Sequence, residues 1–148
     1  MLVESPAFVH EQKIPSRYTC EGENLSPPLT LLNVPHETVS LVIIVDDPDA
    51  PHGVFNHWII WNIAPHQHQL PEGFHSSTAK EGVTGFGKIG YHGPCPPPGK
   101  PHRYFFKVFA LNSLLHIESG ATKQEVEKAM QHHLIDQAEL MGTYSRTN

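Results

Sequence analysis

SLVIIVDDPDAPHGVFNHWIIWNI, residues 40–63, decides the fold. Its first part, SLVIIV (40–45), is β-branched and continuously apolar, the pattern of a strand covered on both faces. DDPDAP then stops that strand with Asp-Pro and Ala-Pro turn chemistry. HWIIWNI (57–63) reads as a second strand. A period of two places His57, Ile59, Trp61 and Ile63 on one face and Trp58, Ile60 and Asn62 on the other. Both faces are largely apolar, so this strand is expected to be central in its sheet.

Further along, RYFFKVFAL (103–111) is a third strong strand. It follows GPCPPPGKPHRY (93–104), which holds five prolines. Proline fixes φ and lacks an N–H, so this stretch is neither helix nor central strand. It reads as a stiff loop delivering His102 and Tyr104 to the mouth of a strand. Loops positioned by a scaffold are where binding and catalysis concentrate. Shorter strands are expected at 2–8 and 29–33, between the turn formers Pro6, Pro15, Gly22, Asn24, Pro27, Pro28 and Pro35. Residues 64–92 read as a long loop. Thr122-Lys-Gln-Glu125 is a capping box, and Val126, Ala129, Met130 and His133 follow it at helical spacing. Propensity would let AELMGTYSR (138–146) extend that helix, whereas Gly142, Thr143 and Tyr144 argue for a final strand. No internal repeat or linker is visible, so residues 1–148 are expected to form one mainly β domain.

Composition narrows the function. The chain has 148 residues, 14 of them Pro and 11 Gly, which favours a loop-rich β fold over a helix bundle. Lys and Arg number 10 against 15 Asp and Glu, a net charge of −5 with neutral histidines, and no basic stripe exists for nucleic acid. A polybasic membrane-binding segment is also missing. MLVESPAF has no basic n-region followed by a long apolar stretch, and no apolar run approaches transmembrane length. With only Cys20 and Cys95 there is no disulfide framework, and spacing alone leaves open whether the two meet. The expectation is a cytoplasmic protein with reduced thiols and no stable membrane insertion.

Three places set polar groups beside buried strands: Asp46, Asp47 and Asp49 after SLVIIV, His57 at the start of HWIIWNI, and His102 with Tyr104. Alternation sends His102 and Tyr104 to one face and Arg103 to the other. Plainer readings compete with a binding role. An aspartate before proline often only caps a turn. A lone histidine at a strand end is usually an exposed or satisfied residue. Arg103 is most simply an ion-pair partner for an aspartate in the turn, Asp49 among them. His66, His68, His132 and His133 read as surface residues. There is no GxSxG, HExxH, CxxC or Walker motif, and GVTGFGKIG (82–90) lacks the following helix that a phosphate loop requires.

Together these segments resemble the phosphatidylethanolamine-binding protein family, also called the Raf kinase inhibitor family. VDDPDAP (45–51) with NHWIIWN (56–62) looks like the family's first conserved region, and GPCPPPGKPHRYFFKVFAL (93–111) like its second. ATKQEVEKAM and AELMGTYSR resemble the closing segment of its shorter bacterial and archaeal branch. Residues 1–39 agree more loosely, through SPAF and IPSRYTCEGENLSPPL. The resemblance implies an antiparallel Greek-key β-sandwich with one or two short helices, and a small anion-binding cavity that accepts phosphoryl groups. By motif, Asp47, His57, Gly93, Pro94, His102 and Tyr104 would line it, with Asp49 and Arg103 as structural neighbours. Asn56 stands where the mammalian branch carries a second histidine, and the chain ends after TYSR without that branch's C-terminal helical extension. A protein kinase or other regulatory partner, and a homodimer, come from the resemblance alone.

The leading expectation is a non-catalytic binding module for a small phosphorylated or anionic ligand, without cofactor or metal. Imidazolium, phenol and backbone N–H groups donate to phosphate oxygens, whereas an ionised Asp47 repels them. Asp47 fits by sharing a proton with the ligand or by orienting a histidine, so binding should weaken as pH rises. One alternative is a hydrolase using Asp47, His57, His102 and Tyr104 as an acid/base set, although no serine or cysteine with a clear base is visible. The other is a metal site of two histidines and one carboxylate.

Overall fold

The computed structural model describes residues 1–146. In chain order the strands are β1 (Leu2–Glu4), β2 (Leu29–Leu32), β3 (Ser40–Asp47), β4 (Phe55–Ile63), β5 (Gln69–Leu70), β6 (Lys80–Glu81) and β7 (His102–Leu111); helix α1 (Lys123–Met130) and β8 (Leu134–Tyr144) follow. A short 3-10 turn covers Ser16–Tyr18. The smaller sheet runs β1-β2-β5 and the larger β6-β4-β3-β7-β8, with all strand pairings antiparallel. The chain crosses from small sheet to large after β2, back for β5, and over again for β6, β7 and β8. This is the mainly β, two-sheet sandwich with Greek-key crossings that the sequence leads one to expect.

The apolar run of β3 is explained by cover on both faces. Leu41, Ile43 and Val45 point inward with Trp58, Ile60, Phe106 and Val108 and meet Val3, Leu29 and Leu31 of the small sheet. Val42 and Ile44 point outward with Ile59 and Trp61 and are covered by Val126 and Met130 of α1. Each such side chain contributes about 1.5–3 kcal/mol by leaving water. The helix starts where the capping box closes: the Glu125 N–H donates to Thr122 Oγ1 (3.2 Å) and the Thr122 N–H to Glu125 Oε1 (3.0 Å).

Several boundaries differ from the sequence reading. β1 stops at Glu4, and the expected loop at 64–92 contains the two-residue strands β5 and β6. The tail is strand, as Gly142 to Tyr144 argue, and it begins already at Leu134. Helix α1 ends at Met130, so His133 lies beyond it and bonds Asn112 instead.

The strict alternation expected along β4 fails twice, each time at a bulge. Near its end, Ile60 pairs with Ile43 but Ile63 pairs with Leu41, which leaves one extra residue in β4. Asn62 absorbs it at φ 61°, in the left-handed region that Asn tolerates. Its amide is locked to the Leu115 backbone by bonds of 3.0 and 2.8 Å. Ile63 therefore joins the inner core rather than the face of Ile59 and Trp61. At the other end Val45 pairs with Trp58 and Asp46 with Asn56, so His57 is the extra residue. Both His57 and Trp58 then serve the inner side, which corrects the face assigned to His57.

Candidate functional site

That second bulge builds the site. β3 ends in Asp47, β7 begins with His102 and Tyr104, and the bulge turns His57 toward both. The four side chains border a cavity of about 180 Å3. The His102 Nδ1–H donates to Asp47 Oδ2 at 2.7 Å, and Asp47 Oδ1 caps its own turn by accepting the Asp49 N–H at 2.7 Å. Asp47 is thus both turn cap and histidine partner. The His57 ring lies edge-on to Tyr104, with centroids 5.3 Å apart, while His102 stacks beside Tyr104 at 6.4 Å.

The hydrogen-bond roles follow from chemistry. His57 Nδ1 is 2.7 Å from the His92 carbonyl. A carbonyl only accepts, so Nδ1 carries a proton, and the neutral ring keeps an acceptor lone pair on Nε2. Burial holds the His57 pKa below its usual value, against the opposing pull of the His92 carbonyl and the Asp47 charge. Burial, reinforced by Asp47, pushes the Tyr104 phenol well above its usual range, so it remains an O–H at neutral pH. That hydroxyl is buried beside the Asp47 carboxylate, whose oxygens already accept from His102 and the Asp49 N–H, and it makes no hydrogen bond of normal geometry among the described residues. Leaving such a group unpaired costs about 1–3 kcal/mol, so it is not there for stability.

On the opposite face of the sheet, Arg103 grips Asp49 through Nε (3.0 Å) and Nη2 (2.9 Å), and its backbone N–H adds a third bond. The guanidinium holds the Asp49 carboxyl below the usual range. This pair ties the DDPDAP turn to the start of β7 and stays outside the cavity. Asp46 also points away from it. Its carboxylate meets Lys123 at 2.7 Å and Lys107 at 3.6 Å, joining α1 to the sheet.

Gly93 and Pro94 are buried but do not border the cavity. The Gly93 N–H donates to Asn24 Oδ1 (2.8 Å) and the Pro94 carbonyl accepts from the Cys20 N–H (3.1 Å). A Cβ on Gly93 would sit 2.1 Å from the Tyr18 carbonyl oxygen, so this glycine serves close backbone approach. Cys20 and Cys95 form a disulfide with Cα atoms 5.4 Å apart, which overturns the expectation of reduced thiols. The fold brings together segments 75 residues apart in sequence, and the spacing of two cysteines gave no sign of it.

The proline loop and the DDPDAP turn both supply cavity wall, through Cys95–Pro97 and through Ala50 and Pro51, and two further wall residues, Phe55 and Phe86, are not foreseen from the sequence. Phe86 comes from GVTGFGKIG, whose glycines form a tight turn rather than a phosphate loop. The Thr84 N–H donates to the Lys88 carbonyl (2.8 Å), and Gly87 adopts φ 73°. Lone aromatics flanked by glycine give no signal of this kind without the fold. Among the described residues no three His, Cys, Asp or Glu side chains converge to hold a metal.

These features define a two-sheet β-sandwich with a small, mainly apolar cavity carrying a few polar groups at the ends of its central strands. The chain belongs to the phosphatidylethanolamine-binding protein family, whose family model matches residues 4–145. It is 47% identical to a UPF0098 protein of Pyrococcus abyssi, over 99% of this chain and 86% of that one. A UPF0098 protein of Methanothermobacter thermautotrophicus is 46% identical, with 99% of each chain covered. Among solved structures, a phosphatidylethanolamine-binding protein homologue from Chlamydia trachomatis superposes with a TM-score of 0.93 at 43% identity, covering 98% and 97% of the two chains. The E. coli protein YbcL, described as a member of the mammalian family, gives a TM-score of 0.91 at 32% identity, covering 99% and 98%.

Proposed function

We propose that this protein binds a small protonated oxyanion, a phosphate or phosphoryl group still carrying one O–H, and does not turn it over. The observation that carries this reading is the buried Tyr104 hydroxyl, which makes no hydrogen bond of normal geometry among the described residues and belongs to the wall of a cavity shared with His57 and His102. Its O–H suits an anionic oxygen. Neutral His57 offers the complementary lone pair on Nε2, which suits a ligand O–H. A ligand with both an anionic oxygen and an O–H matches this set, whereas a fully deprotonated dianion faces the Asp47 carboxylate.

The non-catalytic part of the reading rests on the cavity wall. Among the described residues it holds no serine, threonine or lysine, and its one cysteine is tied up in the disulfide. Titrating inorganic phosphate into 15N-labelled protein tests the binding. Shifts should centre on Asp47, His57, His102 and Tyr104, and a shift pattern centred elsewhere overturns the assignment. Incubation with activated phosphate esters should give no turnover that depends on His102. Turnover abolished by His102→Ala would instead establish an enzyme.

A further inference from the structure

The polar groups Asp47, His57, His102 and Tyr104 share the cavity wall with apolar residues, and His57 itself packs edge-on against Phe55 and Phe86. Phe86 stands at the tip of its glycine turn, 42% exposed, as part of the cavity wall. The turn is made for this placement. The Phe86 N–H is held by Thr84 Oγ1 at 3.2 Å, and Gly85 lies so close to Phe55 that a Cβ would sit 2.6 Å from its ring. Phe86 meets Phe55 edge-on at 4.8 Å and His57 at 5.5 Å. The rigid pyrrolidine rings of Pro96 and Pro97 complete the apolar lining. A cavity of about 180 Å3 holds about six waters at about 30 Å3 each, so there is space beyond a bare phosphate.

We propose that the ligand is a phosphomonoester whose ester group is apolar, with the phosphoryl end at Tyr104, His57 and His102 and the apolar group against Phe55 and Phe86. This rests on the oxyanion reading above and narrows it in two respects. First, a monoester holds a P–O–H for His57 Nε2 up to its second ionisation at about pH 6, whereas a phosphodiester has already lost its one acidic proton. Second, among the described residues the only carboxylate on the cavity wall is Asp47, already engaged by His102, so an ammonium group on the ligand finds no carboxylate of its own there. Rings and prolines instead favour burial of an apolar group.

The test compares three probes on the intact protein by calorimetry or NMR at about pH 5.5, where a monoester still keeps most of its P–O–H: inorganic phosphate, phenyl phosphate and glycerophosphoethanolamine, a zwitterionic diester. Phenyl phosphate should bind about tenfold or more tighter than phosphate, the scale of small apolar groups in a fitted site. Glycerophosphoethanolamine should bind more weakly than phosphate. In Phe86→Ala the ratio of phenyl phosphate to phosphate affinity should fall to within about threefold, and this half-exposed position is safe for folding. Equal affinity for phenyl phosphate and phosphate overturns the proposal while leaving oxyanion binding intact. So does glycerophosphoethanolamine as the tightest of the three. Failure of all three probes to bind overturns the oxyanion reading itself.

Discussion

Replacing Cys20 and Cys95 together by serine should loosen the loop that forms one cavity wall. Up to Pro94 that loop is anchored by hydrogen bonds to residues 18–24, through Tyr91, Gly93 and Pro94. From Cys95 to Pro101 no backbone hydrogen bond holds it among the described residues, and four of those seven positions are prolines without an N–H. The disulfide is the covalent tie at the start of this stretch. It spans 75 residues, for which loop-closure entropy gives about 4.5 kcal/mol. Measured effects usually reach about 2–4 kcal/mol, because unfolded chains are already partly compact. At about 2–4 °C per kcal/mol, a loss near 3 kcal/mol lowers the melting temperature by roughly 6–12 °C. Thermal unfolding of the double variant, and of native protein with and without dithiothreitol, measures this. Cys20 is exposed, so the reductant can reach the bond. A melting temperature unchanged by both treatments, or two free thiols titrated in denatured, unreduced protein, would refute the reasoning.

Tyr104→Phe should leave stability unchanged or raise it by about 1 kcal/mol, since it removes an unpaired buried hydroxyl, while phosphate affinity falls about tenfold. Urea denaturation and phosphate titration read the two effects separately, and lost stability with unaltered affinity would contradict the assigned role. His57 should titrate below the ordinary 6.5, because burial disfavours its charged form. Between its folded pKa and 6.5 the unfolded chain binds more protons, so His57 makes stability fall as pH drops through that window. A midpoint at or above 6.5 in an NMR titration would be inconsistent with this environment. Gly93→Ala should cost about 1–3 kcal/mol, because its Cβ would overlap the Tyr18 carbonyl, and denaturant midpoints check it.

Much of the sandwich was legible because β3 and β7 follow simple patterns. A run buried on both faces is continuously apolar, and PHRY alternates cleanly so that His102 and Tyr104 share a side. β4 resisted the same logic. Its two bulges each add a residue, and a bulge has no composition of its own except the Asn62 that tolerates positive φ. Reading β4 with a strict period therefore put His57 on the wrong face, although the residue itself was chosen from its motif. Gly93 and Pro94 are assigned to the cavity only by the family resemblance of their motif. Distance along a proline loop says little about direction, and their backbone turns instead to residues 18–24. Phe86 and the disulfide depend on contacts between distant segments, which no local pattern encodes.

The central claim is that Tyr104, His57 and the Asp47–His102 pair together accept an oxyanion that still carries a proton. Affinity for a phosphomonoester, phenyl phosphate, measured from pH 5 to 8 at constant ionic strength is the decisive test, because its last P–O–H proton leaves at about pH 6. Affinity should fall with rising pH, approaching tenfold per pH unit once the ligand loses its last proton. An affinity that stays flat or strengthens across that range would contradict the account.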